Sequence, residues 1–200
     1  MQLILVRHGR TQANAQARFP LTSDVPLDGV GREQVTRTGQ LLVASDFRPE
    51  VIHSSDAARA LQTAAALRDV IDPDLSITPR PELRELDWGE LRGRSISPGA
   101  AGDTSYARWQ QDPMSRLPGG EGLVDVATRV DGMLRLLADD GRPAIVVSHA
   151  VTLTVLTARI HGWDLLETWR THRAHLPPGQ FRRLELTAPP VPARPLPRRT

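Results

Sequence analysis

The chain has 200 residues, of which 40% are hydrophobic and 24% charged, a composition that fits a soluble globular domain with a sizeable core. No apolar run approaches the ~20 residues that cross a bilayer, and the first one stops at Val6, too short for a secretion signal. The absence of cysteine excludes disulfides, thiolate nucleophiles and cysteine-ligated metal.

In chain order, residues 2 to 6 read as a short buried strand that ends on Arg7-His8-Gly9. Asp28 is placed to cap a helix over 29–44. "EVIHSS" (50–55) reads as a second strand, and Asp56 as the cap of the helix "AARALQTAAALRDV". "LSITP" (75–79) is a third strand. Residues 92–120, rich in Gly, Pro and Ser, read as loop with a short helix around 106–110. "GLVDVATRVDGMLRLLADD" has Val126, Val130, Met133 and Leu137 on one side of a helix. "PAIVVS" is another buried strand, followed by a helix that ends at Gly162. "QFRRLELT" (180–187) alternates as an edge strand does. The proline-rich residues 188–200 are read as a disordered tail.

Alternating strands and helices predict an α/β fold, a three-layer α/β/α sandwich with a mainly parallel central sheet. One domain is expected over 1–187, with 92–120 as a lid or insertion. Ligands of such sheets bind beyond the carboxyl ends of the strands. Arg7-His8, Ser54-Ser55 and Ser148-His149 all fall there.

Every one of the 25 basic residues is an arginine, so the small net charge of +2 persists to high pH. The arginines are scattered, without a dense basic block or interleaved aromatics, and nucleic acid is not expected as a partner. The expected location is the cytoplasm, with no membrane partner; a homodimer is left open.

His8 and His149 each follow a buried strand. Three readings compete: two structural histidines, a metal site, or a nucleophile and its partner around an anion. Two histidines without an HExxH-like cluster are a poor metal site, so no metal and no cofactor are expected. Arg7 adjoins His8, and Arg59 lies in the first turn of a helix whose N-terminus itself favours an anion. Planar arginine forks bind phosphate oxygens in pairs, which points to a phosphoryl group, with Asn14 as a neutral donor. Two plainer readings stand beside this one: Arg59 pairing with Asp56, and Glu85 as a solvated carboxylate beside Arg84.

"LVRHGRTQAN" resembles the signature of the histidine phosphatase superfamily, also called phosphoglycerate mutase-like. "PLDGVGREQ", "HSSDAARALQTA", "LRELDWGELRG", "PGGEG" and "VVSHA" are similar to further family segments, in family order, over roughly residues 3–155. The resemblance implies that His8 is the nucleophile that becomes a phosphohistidine. It implies that Arg7, Arg59 and His149 hold the phosphoryl oxygens with Asn14 assisting, and that Glu85 protonates the leaving oxygen and later activates water. Neighbouring arginines favour the neutral imidazole that attack requires.

Several positions depart from the family pattern. Arg10, Gly122 and Ala150 replace the usual Glu or Gln, Ser and Gly, and "RFPLTSD" lacks the glycine common after the arginine, which puts a contact role for Arg18 in doubt. The segment "RELDWGELRG" resembles that of the small phosphatases. The expected function is therefore metal-independent hydrolysis of a small phosphate ester. The alternatives are a phosphoglycerate-type phosphomutase or a non-catalytic phospho-ligand binding module. Arg92, Arg94, Tyr106, Trp109 and Arg116 are candidate substrate contacts in the lid.

Overall fold

The computed structural model describes residues 1–96 and 105–187. The expected tail at 188–200 lies outside the described residues. Five strands form one sheet in the order β3-β2-β4-β1-β5. They are β1 (Gln2–Arg7), β2 (Val51–Ser54), β3 (Ser76–Pro79), β4 (Ala144–Ser148) and β5 (Phe181–Glu185). All neighbours pair in parallel except β5, which runs antiparallel to β1. The mainly parallel sheet with an antiparallel edge strand is the architecture expected from the alternating pattern.

Alternate strand residues sort into two cores. Leu3, Leu5, Val51, Ala144 and Val146 pack against α5 (Leu123–Asp140) and α6 (Ala150–His161). Ile4, Val6, Ile52, Ile145 and Val147 pack against α2 (Gly29–Val43) and α3 (Ala58–Ile71). Both faces of the central strands are thus covered, which is why β1 and β4 read as unbroken aliphatic runs. Because β1, β2 and β4 are parallel, their carboxyl ends share one edge of the sheet. In register, Arg7 lies beside Ser148, and Ser54 beside Val147.

Two short helices do not appear in the sequence reading: α1 (Gln12–Ala15) and α7 (Leu165–Thr171). Thr11 caps α1, and Asp164 caps α7 by accepting a 2.7 Å bond from the Glu167 amide. The helix expected within the 92–120 segment is α4 (Ser105–Gln111). Asp28 caps α2 as expected, accepting from the Gly31 amide at 2.7 Å. Asp56 does not cap α3. Ala57 holds the cap position without a side-chain bond, and the Asp56 carboxylate is forked to Arg84 instead, with Nε–Oδ1 at 2.7 Å.

Candidate active site

The loop after β1 is held by contacts from both helices on one face. The Gly9 amide donates to Thr63 Oγ1 (3.2 Å) and the Arg10 amide to Gln34 Oε1 (2.9 Å). Gly9 and Gly31 meet backbone to backbone: a Cβ on Gly31 would lie 2.1 Å from the Arg10 carbonyl oxygen, and one on Gly9 2.4 Å from that of Gly31. Only glycine permits this approach. On the other side, the Gly179 amide donates to the carbonyls of Arg7 (3.1 Å) and His8 (3.0 Å).

His8 is 4% exposed. Its Nδ1 lies 2.7 Å from the Gly9 carbonyl oxygen. A carbonyl only accepts, so Nδ1 carries the proton and Nε2 keeps its lone pair. Burial, then the charges of Arg59 and Arg7, hold the ring's pKa well below its ordinary value, with the Gly9 bond opposing them. The ring is therefore neutral at rest.

His149 follows β4 as the residue before α6 and is wholly buried. Its ring lies 5.0 Å from that of His8, tilted by 62°. Nε2 is 2.9 Å from Ser55 Oγ, while the buried Nδ1 has no protein partner. Burial first, then Arg59, His8 and Arg7, push its pKa well down as well. Ser55 stood at a strand end in the sequence, but its pairing with this ring, 94 positions on, could not be read there.

Arg7 spends Nη1 on the Leu176 carbonyl (2.9 Å), and its buried Nε has no protein partner. Arg59, 5% exposed, has a buried and unpartnered Nη1. Among the described residues neither pairs with a carboxylate, and Asp56 is taken by Arg84, so the plainer reading of Arg59 with Asp56 fails. Burial lowers both pKa values, and the Glu85 charge raises both. Glu85 lies at the start of α6, where Oε1 accepts from the amides of Leu86 (3.0 Å), Val151 (3.1 Å) and Thr152 (3.3 Å). It does not pair with Arg84, whose fork goes to Asp56.

Glu85, with Pro20 and Trp88, lines two adjoining cavities. One, of about 430 Å³, also takes in Arg59, Arg84, Asp87 and Arg92. The other, of about 250 Å³, takes in Arg7, Asn14, Arg18 and Tyr106. Asn14 uses its carbonyl oxygen on the Thr11 amide (3.1 Å), which leaves its NH2 end for a ligand. Arg18 lines the same cavity and donates to the Gly93 carbonyl (2.9 Å). Arg92 is forked to Asp87. Trp109 is buried, donating to the Ser115 carbonyl, and Arg116 is paired on the surface with Asp125, so neither touches the cavities as expected. The Arg94 backbone carbonyl accepts from the Phe19 amide at 3.0 Å.

The departures also find places. Arg10 pairs with Asp28 at 2.8 Å. Gly122 is packed so that a Cβ would lie 2.4 Å from the Ser115 carbonyl oxygen. Ala150, the first residue of α6, lines the smaller cavity. Among the described residues no cluster of three or more His, Asp or Glu is placed to hold a metal ion.

A neutral imidazole with a free lone pair beside two buried arginines with open N–H groups can hold an anion next to a nucleophilic nitrogen. Residues 3–188 match the histidine phosphatase superfamily (branch 1), and the chain belongs to that family. It is 34% identical over 171 residues to a glucosyl-3-phosphoglycerate phosphatase of Mycolicibacterium vanbaalenii, covering 80% of this chain and 74% of that one. It is equally 34% identical to a probable phosphoglycerate mutase of Salmonella paratyphi C, over 88% of this chain and 80% of that one. Among solved structures, an α-ribazole phosphatase from Shigella flexneri superposes with a TM-score of 0.79 at 28% identity, covering 92% of this chain and 90% of that one.

Proposed function

We propose that the protein hydrolyses phosphate monoesters of small metabolites through a phosphohistidine on Nε2 of His8. The observation that carries this reading is the set of buried groups without protein partners, Arg7 Nε, Arg59 Nη1 and His149 Nδ1, gathered around an imidazole whose Nε2 is unprotonated. These groups bind the phosphoryl oxygens and offset the charge that develops on them, the main need in phosphoryl transfer. Nε2 attacks phosphorus as the ester oxygen leaves. Glu85 gives that oxygen a proton, then takes one from the water that cleaves the phosphorus–nitrogen bond. The chain supplies the positive charge from its own arginines and needs no metal for it.

A second reading is favoured by the mutase relatives, whose identity matches that of the phosphatase relative. A mutase returns the phosphoryl group to a second hydroxyl; a phosphatase gives it to water. Assaying 3-phosphoglycerate for 2-phosphoglycerate against free phosphate separates the two, and release of phosphate is the expected result.

The direct test is a rapid quench into alkali, where a phosphoramidate survives, followed by mapping of the labelled residue. Label on His8 is expected. His8→Ala should lower turnover by several orders of magnitude, and His149→Ala by roughly 10²- to 10³-fold, as for one charge-stabilising donor. Label on His149, or near-normal turnover of His8→Ala, would overturn the assignment.

A further inference from the structure

The chain holds only four Trp, three Phe and one Tyr. Phe19, Trp88, Tyr106 and Trp169 all line the smaller cavity, the one that contains Arg7 and Asn14. Three of the rings touch, Phe19 meeting Trp88 at 4.3 Å between centroids and Tyr106 at 5.1 Å. Trp109, itself buried, stands behind three of the four walls. It meets Trp88 at 5.7 Å, Tyr106 at 6.1 Å and Trp169 at 5.5 Å. Half of a scarce residue class thus surrounds one space, and a fifth member fixes the wall. Tyr106 and Trp169 are only half-buried, so part of their surface remains for a ligand.

The larger cavity has another character. Away from Arg59 and Glu85, its charged residues Arg84 and Arg92 are paired with Asp56 and Asp87, and no aromatic ring but that of Trp88 lines it. Both cavities open on Glu85, so an ester oxygen there can direct its alcohol portion into either. Flat rings gain from edge-to-face and offset contacts with aromatic walls, beyond what burial alone contributes. The smaller cavity's volume of about 250 Å³ exceeds the ~150 Å³ that holds benzene, and its lining away from the rings is polar, with Arg18, Gln110, Thr154, His172 and His175.

We propose that the alcohol portion of the substrate carries a flat aromatic or heteroaromatic ring, bound between Phe19, Trp88, Tyr106 and Trp169 while the phosphoryl group sits at Arg7 and Arg59. This rests on the phosphatase reading above and narrows it to a substrate class. Trp109 is a positioning residue for that wall and does not touch the ligand.

The test compares kcat/KM for 2-phenylethyl phosphate, 2-cyclohexylethyl phosphate and glycerol 1-phosphate, all esters of primary alcohols with similar demand for protonation. The phenyl ester should exceed the cyclohexyl ester by about three- to tenfold, the size of an aromatic contact, and the glycerol ester by more. Trp169→Leu and Tyr106→Leu, on separate helices, should each bring the phenyl-to-cyclohexyl ratio close to one. Equal ratios in the wild type, or a preference for glycerol phosphate, would overturn this inference and leave the phosphatase reading intact. If none of the three is hydrolysed, nor 4-nitrophenyl phosphate, the phosphatase reading fails instead. The ring preference is then decided by thermal shift with 2-phenylethylphosphonate against 2-cyclohexylethylphosphonate. A larger rise with the phenyl compound supports it, and equal rises overturn it.

Discussion

Glu85 serves the fold and the proposed chemistry with one carboxylate, and the two roles can be separated. Oε1 accepts three backbone amides around the start of α6. Glu85→Gln keeps a carbonyl oxygen for those bonds and loses the group that gives and takes the proton in the proposed step. Turnover of an alkyl phosphate should therefore fall by about 10²-fold or more, and that of an aryl phosphate with a good leaving group far less. Equal losses would remove Glu85 from the leaving-group step. His8 and His149 give a second prediction. Both are held neutral in the folded state, by burial first and by Arg59 next, whereas in the unfolded chain they titrate near 6.5. Below that value the unfolded chain binds protons that the native state refuses, so stability falls as pH falls. The thermal midpoint should drop from pH 7 to pH 5, and His149→Asn should flatten the drop. A variant as steep as the wild type would mean that the ring protonates in place. Arg7, His8, His149 and Arg59 stood out in the sequence because they end or follow a strand or open a helix, whereas Glu85 was pointed to only by the family resemblance. The hydrogen-bond partners of these residues were not legible: Ser55 for His149 and the Leu176 carbonyl for Arg7 come from remote segments.

At the scale of elements, the strands and long helices were legible because aliphatic runs and 3.6-residue periodicity persist over them. The seven-residue α7 is too short for a period to declare itself, although Asp164 and Glu167 stand at its start. Asp56 misled because its carboxylate is taken by Arg84, 28 positions away, in preference to the helix it precedes. The packing of α2 against the loop after β1 yields a paired test. Gly31→Ala would force a Cβ to 2.1 Å from the Arg10 carbonyl oxygen, whereas one on Gly132, inside α5, meets nothing within 4 Å. Gly31→Ala should cost about 1–3 kcal/mol of stability and displace Arg7 and His8, with a loss of activity larger than the loss of fold. Gly132→Ala should stabilise by about 0.5–1 kcal/mol, with activity unchanged. Denaturant midpoints and turnover of 4-nitrophenyl phosphate would read both. A Gly31→Ala enzyme with wild-type turnover would show that the loop does not depend on this contact.

At the scale of the whole molecule, the alternation of strands and helices foretold three layers, but not the order of the strands. That order follows from which strands bury both faces, and it seats β1 between β4 and β5. Among the described residues β1 thus pairs with β4 and β5, the strands that lie farthest from it along the chain. The Met1 amino group bonds the Leu186 carbonyl at 2.7 Å, and Gly179 donates to the carbonyls of both Arg7 and His8. On the ribosome, Arg7 and His8 emerge early and wait for about 170 further residues before Gly179 and β5 can join them. Contacts this distant along the chain form slowly. A nascent chain stalled before residue 176 should therefore display the signature loop yet release no phosphate from an ester, and turnover should appear only when the last strand clears the exit tunnel. Stalled complexes of graded length, assayed for phosphate release, would show this as a step and not a slope.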